Sequence, residues 1–302
     1  MLANMPEQAD AWIAIARADE RRSAELSLVL TARGIEHQRV PGPTAWELWV
    51  PTEQAEQAAA ELAQYRLENA KPVGWRELES VGGDAWPGVY AYVGILLVTY
   101  ICIGDSVLGL DWLGAGRFEA GSLLHGELWR AVTPLTAHIE LAHLAGNVGF
   151  GAFFGYFVGY YLGRGAGWLA ILAAAASGNV MSALVEAPSH RSIGASTAVF
   201  AALGILTAYT WRRGFLRETP WRGRIAPIIA GLGLLAFTGT AGENTDLTAH
   251  LMGFVAGFGC GALLARFANI EVLRRPHVQT ACAVVALAVV AGAWLWGLWA
   301  AG

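Results

Sequence analysis

The chain has 302 residues, of which 55% are hydrophobic and only 15% charged, with a mean hydropathy of +0.42. That is too apolar to clothe a water-soluble globule, so most of the chain is expected to lie in lipid. A net charge of -4 excludes the basic field that gathers nucleic acid. Cys102, Cys260 and Cys282 each sit in an apolar stretch without paired spacing. They read as small core hydrophobes, not as a disulfide framework or a zinc site.

Residues 1–70 hold nearly half of the acidic side chains. They are expected to form a small cytosolic α+β domain in βαββα order. Trp12 to Ala16 and Glu47 to Val50 read as strands, and Glu20 to Ala32 and Glu53 to Tyr65 as helices with apolar residues three and four apart. The start of the chain has no basic segment followed by an apolar one, so insertion is expected to be directed by the first span. Residues 71–87, rich in Gly, Pro and polar residues, read as a linker.

Apolar stretches able to cross a bilayer core begin near Pro87, His143, Gly165, Gly194, Ile225, Leu247 and Val278, which makes six spans plus a seventh. Arg212, Arg213, Arg217, Arg222 and Arg224 follow span four, and Arg266, Arg274 and Arg275 follow span six. Those loops are expected to be cytoplasmic. Gly239 to Asp246 has no Lys or Arg and Gly104 to Ala142 only two Arg, so both are expected to face outward, with the N-terminus inside.

Ionisable and polar residues within a span are functional candidates. His143, Asn147, Ser196 and His250 all fall about one turn below the outer surface, on spans two, four and six. Gly194 and Ala195 lead into Ser196, whose backbone N–H then belongs to a first helical turn, where amides lack intrahelical acceptors and a developing oxyanion is welcome. A serine hydroxyl needs a base to become a nucleophile, and His250 is the histidine at matching depth on another helix. Gly253, Gly257 and Gly261 recur every four residues on the His250 face, the small-residue pattern that lets membrane helices approach closely. His143 and Asn147, four apart and about 40° apart around a helix, share one face. They can bond each other or loop carbonyls, or donate together to an oxyanion; the second reading is preferred. Asp246 reads as an N-cap in place of the third member of a triad, and Phe200, one turn beyond Ser196, is placed to stack on the imidazole.

At these residues the sequence resembles the rhomboid protease family over about residues 88 to 268. The resemblance rests on Glu127-Leu128-Trp129-Arg130 in the first outer loop and on His138, His143 and Asn147 entering span two. It continues with Gly194 and Ser196 at span four, and with Ala249, His250, Gly253 and Gly257 in span six. It implies an all-α polytopic membrane protein, a rhomboid-like six-helix bundle at 88–268, with an extra C-terminal helix in 269–302. It implies an intramembrane serine endopeptidase that needs no cofactor or metal and cuts transmembrane substrates near the outer membrane boundary of the cell (inner) membrane. Ser196 would be the nucleophile and His250 the base. His143, Asn147 and the Ser196 N–H would hold the oxyanion, with His138, Gly194, Phe200, Gly253 and Gly257 in support. Trp129 and Arg130 would belong to a loop lying partly in the outer leaflet. Thr197 stands where many members have Gly, which implies altered specificity or rate. Trp294, Trp296 and Trp299 in the seventh span resemble an interfacial anchor.

Other classes fit less well. A catalytically inactive rhomboid-like client binder would be expected to lack Ser196 or His250. A zinc protease is disfavoured because His138 and His143 are five apart, about 140° around a helix, where the zinc motif uses four. A transporter would need a polar path across the bilayer, whereas these residues gather at one depth.

Overall fold

The structure, a computed structural model, describes residues 11–69, 78–213, 221–239 and 246–301. Residues 71–77 of the expected linker, Arg217, and 240–245 lie outside the described residues. The chain divides into two compact units, Met1–Pro72 and Val73–Gly302.

The first unit runs β1 (Trp12–Ala18), α1 (Glu20–Ala32), β2 (Gln38–Pro41), β3 (Trp46–Pro51) and α2 (Ala55–Glu68), the expected βαββα order. The sheet is antiparallel in the order β1-β3-β2. Asp19 starts α1 by accepting the Arg22 N–H at 2.8 Å, the usual way to satisfy a first-turn donor. Leu26 and Leu30 of α1, Leu48 and Val50 of β3, and Ala58 and Leu62 of α2 form one core, so the helical and strand periods converge on a single apolar layer. β2 holds only four residues with Val40 as its apolar member, too short for alternation to be legible in sequence.

In the second unit, seven helices of 18 residues or more are described: α3 (Trp86–Gly104), α6 (Leu141–Leu162), α7 (Ala166–Val185), α8 (Ser196–Arg213), α9 (Trp221–Gly239), α10 (Leu247–Phe267) and α12 (Pro276–Ala301). Among the described residues five of these, α3, α6, α7, α10 and α12, are long and apolar enough to cross a membrane. α3 starts at Trp86, inside the segment read as linker, because Pro87 suits a first helical turn. α8 is less apolar in composition, with Thr207 and Thr210 along it and Arg212 and Arg213 at its end, yet it is buried on nearly all sides. It packs against α6, α7, α9 and α10, so protein, not lipid, is its solvent.

The contact between α8 and α10 is backbone to backbone. A Cβ added at Gly253, Gly257 or Gly261 would fall 2.5, 2.1 or 2.5 Å from the carbonyl oxygens of Thr197, Ala201 and Ile205 in turn. The two helices therefore run parallel, in register, at a separation only glycine permits. At their far ends Arg213 donates to the carbonyls of Ala265 and Ala268, satisfying terminal acceptors of α10.

The segment between α3 and α6 carries α4 (Trp112–Gly116), β4 (Phe118–Glu119), α5 (Ala120–Leu124) and 3-10 turns at Leu128–Ala131 and Thr133–Leu135. β4 pairs with β5 (Arg191–Ser192) in the α7–α8 connection. Arg130, 11% exposed, binds Glu127 and the carbonyls of Gly114 and Arg117, tying the loop to itself. A short α11 (Ile270–Leu273) precedes α12.

Of the α12 tryptophans, Trp294 departs from the expected anchor. Trp299 is 81% exposed, but Trp294 is 6% exposed and its indole is tilted against that of Trp112, 5.3 Å away. Trp296 lies 5.2 Å from Trp129. Hydropathy cannot tell a tryptophan facing headgroups from one buried against a neighbouring loop.

Candidate active site

The turn into α8 is set by its backbone. Gly194 has φ +138°, a region costly for any residue with a side chain. Its N–H donates to the Pro134 carbonyl at 3.2 Å, and the Ala195 N–H donates to His138 Nε2 at 3.3 Å. The Ala195 carbonyl then accepts from Ala198 and Val199 and starts the helix. Among the described residues, neither the Ser196 nor the Thr197 N–H has a protein acceptor. Two donors are thus aimed outward at a helix N-terminus, with the Ser196 hydroxyl beside them.

α10 begins beside this turn. Asp246 accepts the Ala249 N–H on Oδ1 at 2.9 Å, the capping role read from sequence, and its Oδ2 lies 2.9 Å from His190 Nε2. Burial alone would raise the Asp246 pKa. The Ala249 amide together with His190 and Ser192 outweighs it and holds the carboxyl below its ordinary range. One turn on, His250 is 8% exposed, and Phe200 from α8 packs on its ring at a centroid distance of 4.4 Å and 37°. Thr197 is buried, and its Cγ2 would be 3.1 Å from a Cβ on Gly253. The Thr197 methyl is therefore taken up by the α8–α10 contact.

α6 supplies the third side. The His143 ring lies directly on Gly194, where an added Cβ would fall 2.4 Å from its Cε1; the unusual φ and the contact together require glycine there. Asn147 is buried, and its Nδ2 donates to His138 Nε2 at 2.9 Å. The rings of His138 and His143 meet edge to face at 5.2 Å. His138 is fully buried. Burial, aided by neighbouring His143 and opposed by the Thr136 carbonyl, pushes its pKa down to about 4. A neutral imidazole can accept at Nε2, as the two hydrogen bonds require.

Ser196, His250, His143, Asn147, Gly194 and Phe200 line one cavity of about 840 Å³. The other expected residues are not on its wall. His138 stands behind Asn147, Gly253 and Gly257 are in the α8–α10 seam, and Trp129 and Arg130 are in the outer loop. Sequence reasoning missed Asn179 of α7, which lines the cavity and donates to the Ala131 carbonyl at 2.9 Å. As a polar residue inside a span it carried the very signal that singled out the others. It also missed His190, which sits between Asp246 and Glu186. Among the described residues, Glu186, His190 and Asp246 are the group close enough to hold a metal ion. Both imidazole nitrogens there already face carboxylates.

Residues 125–267 match the Rhomboid domain. The chain is 32% identical over 180 residues to rhomboid protease GluP of Bacillus subtilis, covering 58% of this chain and 34% of that protein. It is 30% identical over 167 residues to rhomboid-like protease 1 of Toxoplasma gondii, covering 54% and 56%. Rhomboid-like protease 2 of the same organism is 29% identical over 226 residues, covering 66% and 76%. The match thus spans about a third to a half of the first two relatives.

Proposed function

Because this chain belongs to the rhomboid family and is a multi-pass membrane protein, we propose that it is an intramembrane serine endopeptidase working through a Ser196–His250 dyad. The observation that carries this reading is the α8 N-terminus. There a serine with two amide donors that have no acceptor among the described residues shares a cavity with a histidine held by an aromatic ring.

In this mechanism His250 takes the hydroxyl proton as Ser196 Oγ adds to a substrate carbonyl. The oxyanion forms against the Ser196 N–H, and Asn147 offers the Nδ2 hydrogen not given to His138. His143, lying on the Gly194 turn, is the further donor. Each such donor is worth about 2.7–4 kcal/mol of barrier. His250 then protonates the leaving amine, and finally takes a proton from the water that hydrolyses the acyl-enzyme. Phe200 orients the imidazole by stacking, the task a carboxylate has in a triad. Asp246 is occupied with Ala249 and His190.

The arginines after α8 and α10 favour a cytoplasmic position for those ends and for the N-terminal unit. The cavity, formed by the opposite ends of α6, α8 and α10, then opens to the outer side of the cell membrane. Transmembrane proteins are the substrates. A helix hides its carbonyls in internal bonds, so cleavage falls at or just below the outer boundary, after a small residue, where glycine or proline eases unwinding. Product termini mapped by mass spectrometry deep in the span or on the cytoplasmic side would contradict this.

The deciding experiment compares wild type with Ser196→Ala and His250→Ala on a single-pass substrate in proteoliposomes. Both variants should fold and neither should cleave. A fluorophosphonate should label wild type and not Ser196→Ala. If a folded wild type takes no label, the chain is a non-catalytic client binder instead.

A further inference from the structure

α12 takes no part in the dyad chemistry, yet it is fastened at both ends. Near its start, Gln279 Oε1 accepts from the Gly165 and Ala166 N–H groups and its Nε2 donates to the Leu162 and Leu273 carbonyls. A polar side chain buried in this way fixes the helix against the α6–α7 turn. Near the other end, Trp294 Nε1 donates to Thr136 Oγ1 at 2.9 Å, and its ring packs with Ala115 and Ala137. A Cβ on Gly116 would fall 2.8 Å from Trp294 Cη2, so the loop has been shaped to receive this indole.

What Trp294 seats is the stretch that holds the nucleophile. The Pro134 carbonyl accepts the Gly194 N–H. The Thr136 carbonyl accepts Thr99 Oγ1 at 2.5 Å. His138 Nε2 accepts both Asn147 Nδ2 and the Ala195 N–H. Residues 134–138 therefore grip the turn before Ser196 at two points and orient Asn147, while Trp294 presses on 136–137 from the other side. We infer that Trp294 of the C-terminal helix is a positioning residue for the oxyanion site, acting through Thr136 and His138. The inference rests on the protease reading for its catalytic consequence, but its structural part stands apart from it.

The test uses the full chain with Trp294→Phe, Trp294→Ala, Thr136→Val, Thr136→Ser and the Trp294→Phe/Thr136→Val double variant. Cleavage kinetics are read beside hydrogen exchange of peptides covering 128–138. Trp294→Phe should lower kcat about tenfold with KM unchanged, the size of one ordinary hydrogen bond lost. Thr136→Val should match it, the double variant should be no slower than either single one, and Thr136→Ser should behave as wild type. Trp294→Ala should speed exchange across 128–138 with α8 and α10 still protected. Multiplying single effects, a change confined to KM, or unaltered exchange at 128–138 would overturn the inference. If wild type and Ser196→Ala proved equally inert, the protease reading would fall while exchange still decided whether Trp294 seats the loop.

Discussion

Gly257→Ala tests whether the distance between α8 and α10 controls the chemistry. The added Cβ would lie 2.1 Å from the Ala201 oxygen and 2.7 Å from the Ala201 Cα. Both are backbone atoms of a helix packed on most sides, so neither can rotate away, and α10 must withdraw by about 1 Å to restore ordinary contact. Gly257 is two turns from His250 on the same face, so the withdrawal reaches the imidazole. A misplacement of about 1 Å costs on the order of 100-fold in rate, and overpacking of this kind costs about 1–3 kcal/mol in stability. kcat in proteoliposomes should therefore fall about 100-fold while the variant still unfolds cooperatively, at a lower temperature. Gly259→Ala is the control, since nothing lies within 4 Å of its new Cβ; alanine's helix propensity should leave it at least as stable as wild type. Ala201→Gly should not rescue Gly257→Ala, because the obstruction is main chain. A folded Gly257→Ala protein with wild-type kcat would refute the claim that helix separation sets the dyad.

Asn147→Ala and His143→Ala should lower kcat by about 100-fold or more with little change in KM, as expected of donors used in the transition state; a change in KM alone would assign them to substrate docking. Asp246→Asn keeps an N-cap acceptor and should retain at least a tenth or so of the activity, since a good cap exchange costs only about 1 kcal/mol; a loss as deep as that of His250→Ala would make it a triad member. His138 titrates at about 4 in the folded chain against about 6.5 unfolded, so the unfolded state binds the proton first. Its neutral form contributes stability that is complete above pH 6.5 and lost as pH falls towards 4, in total about 3 kcal/mol. Thermal unfolding in detergent at pH 7 and pH 5 should show the slope, and His138→Gln should flatten it; an unchanged slope would place the effect elsewhere.

The proposed Ser196–His250 pair and the α8–α10 seam were legible from sequence because each is written in a short local pattern. Ser196 stands two residues after Gly194 at a helix start, His250 lies one turn past a capping Asp246, and glycines recur every four residues along one face of α10. Lipid makes these signals sharper than they would be in a soluble protein, since a polar residue in a span must have a reason. The same rule, applied to α7, would have found Asn179. β2 was implied by the βαββα order but given no residues, because four residues with a single central apolar side chain carry no period.

By itself the sequence determined the class of molecule, the long helices of the membrane part, the N-terminal βαββα unit and which side chains could share a helical level, since composition, hydropathy and helical spacing act along the chain. Only the tertiary structure decided how they are held. His138 accepts from Asn147 and from the amide before Ser196, Asp246 pairs with His190 from the α7–α8 connection, Thr197 turns its methyl into α10, and Trp294 leaves the interfacial role for a seat beneath Thr136. Each joins residues from 9 to 158 positions apart. The energy of such contacts depends on distance and direction in space, which no local pattern encodes.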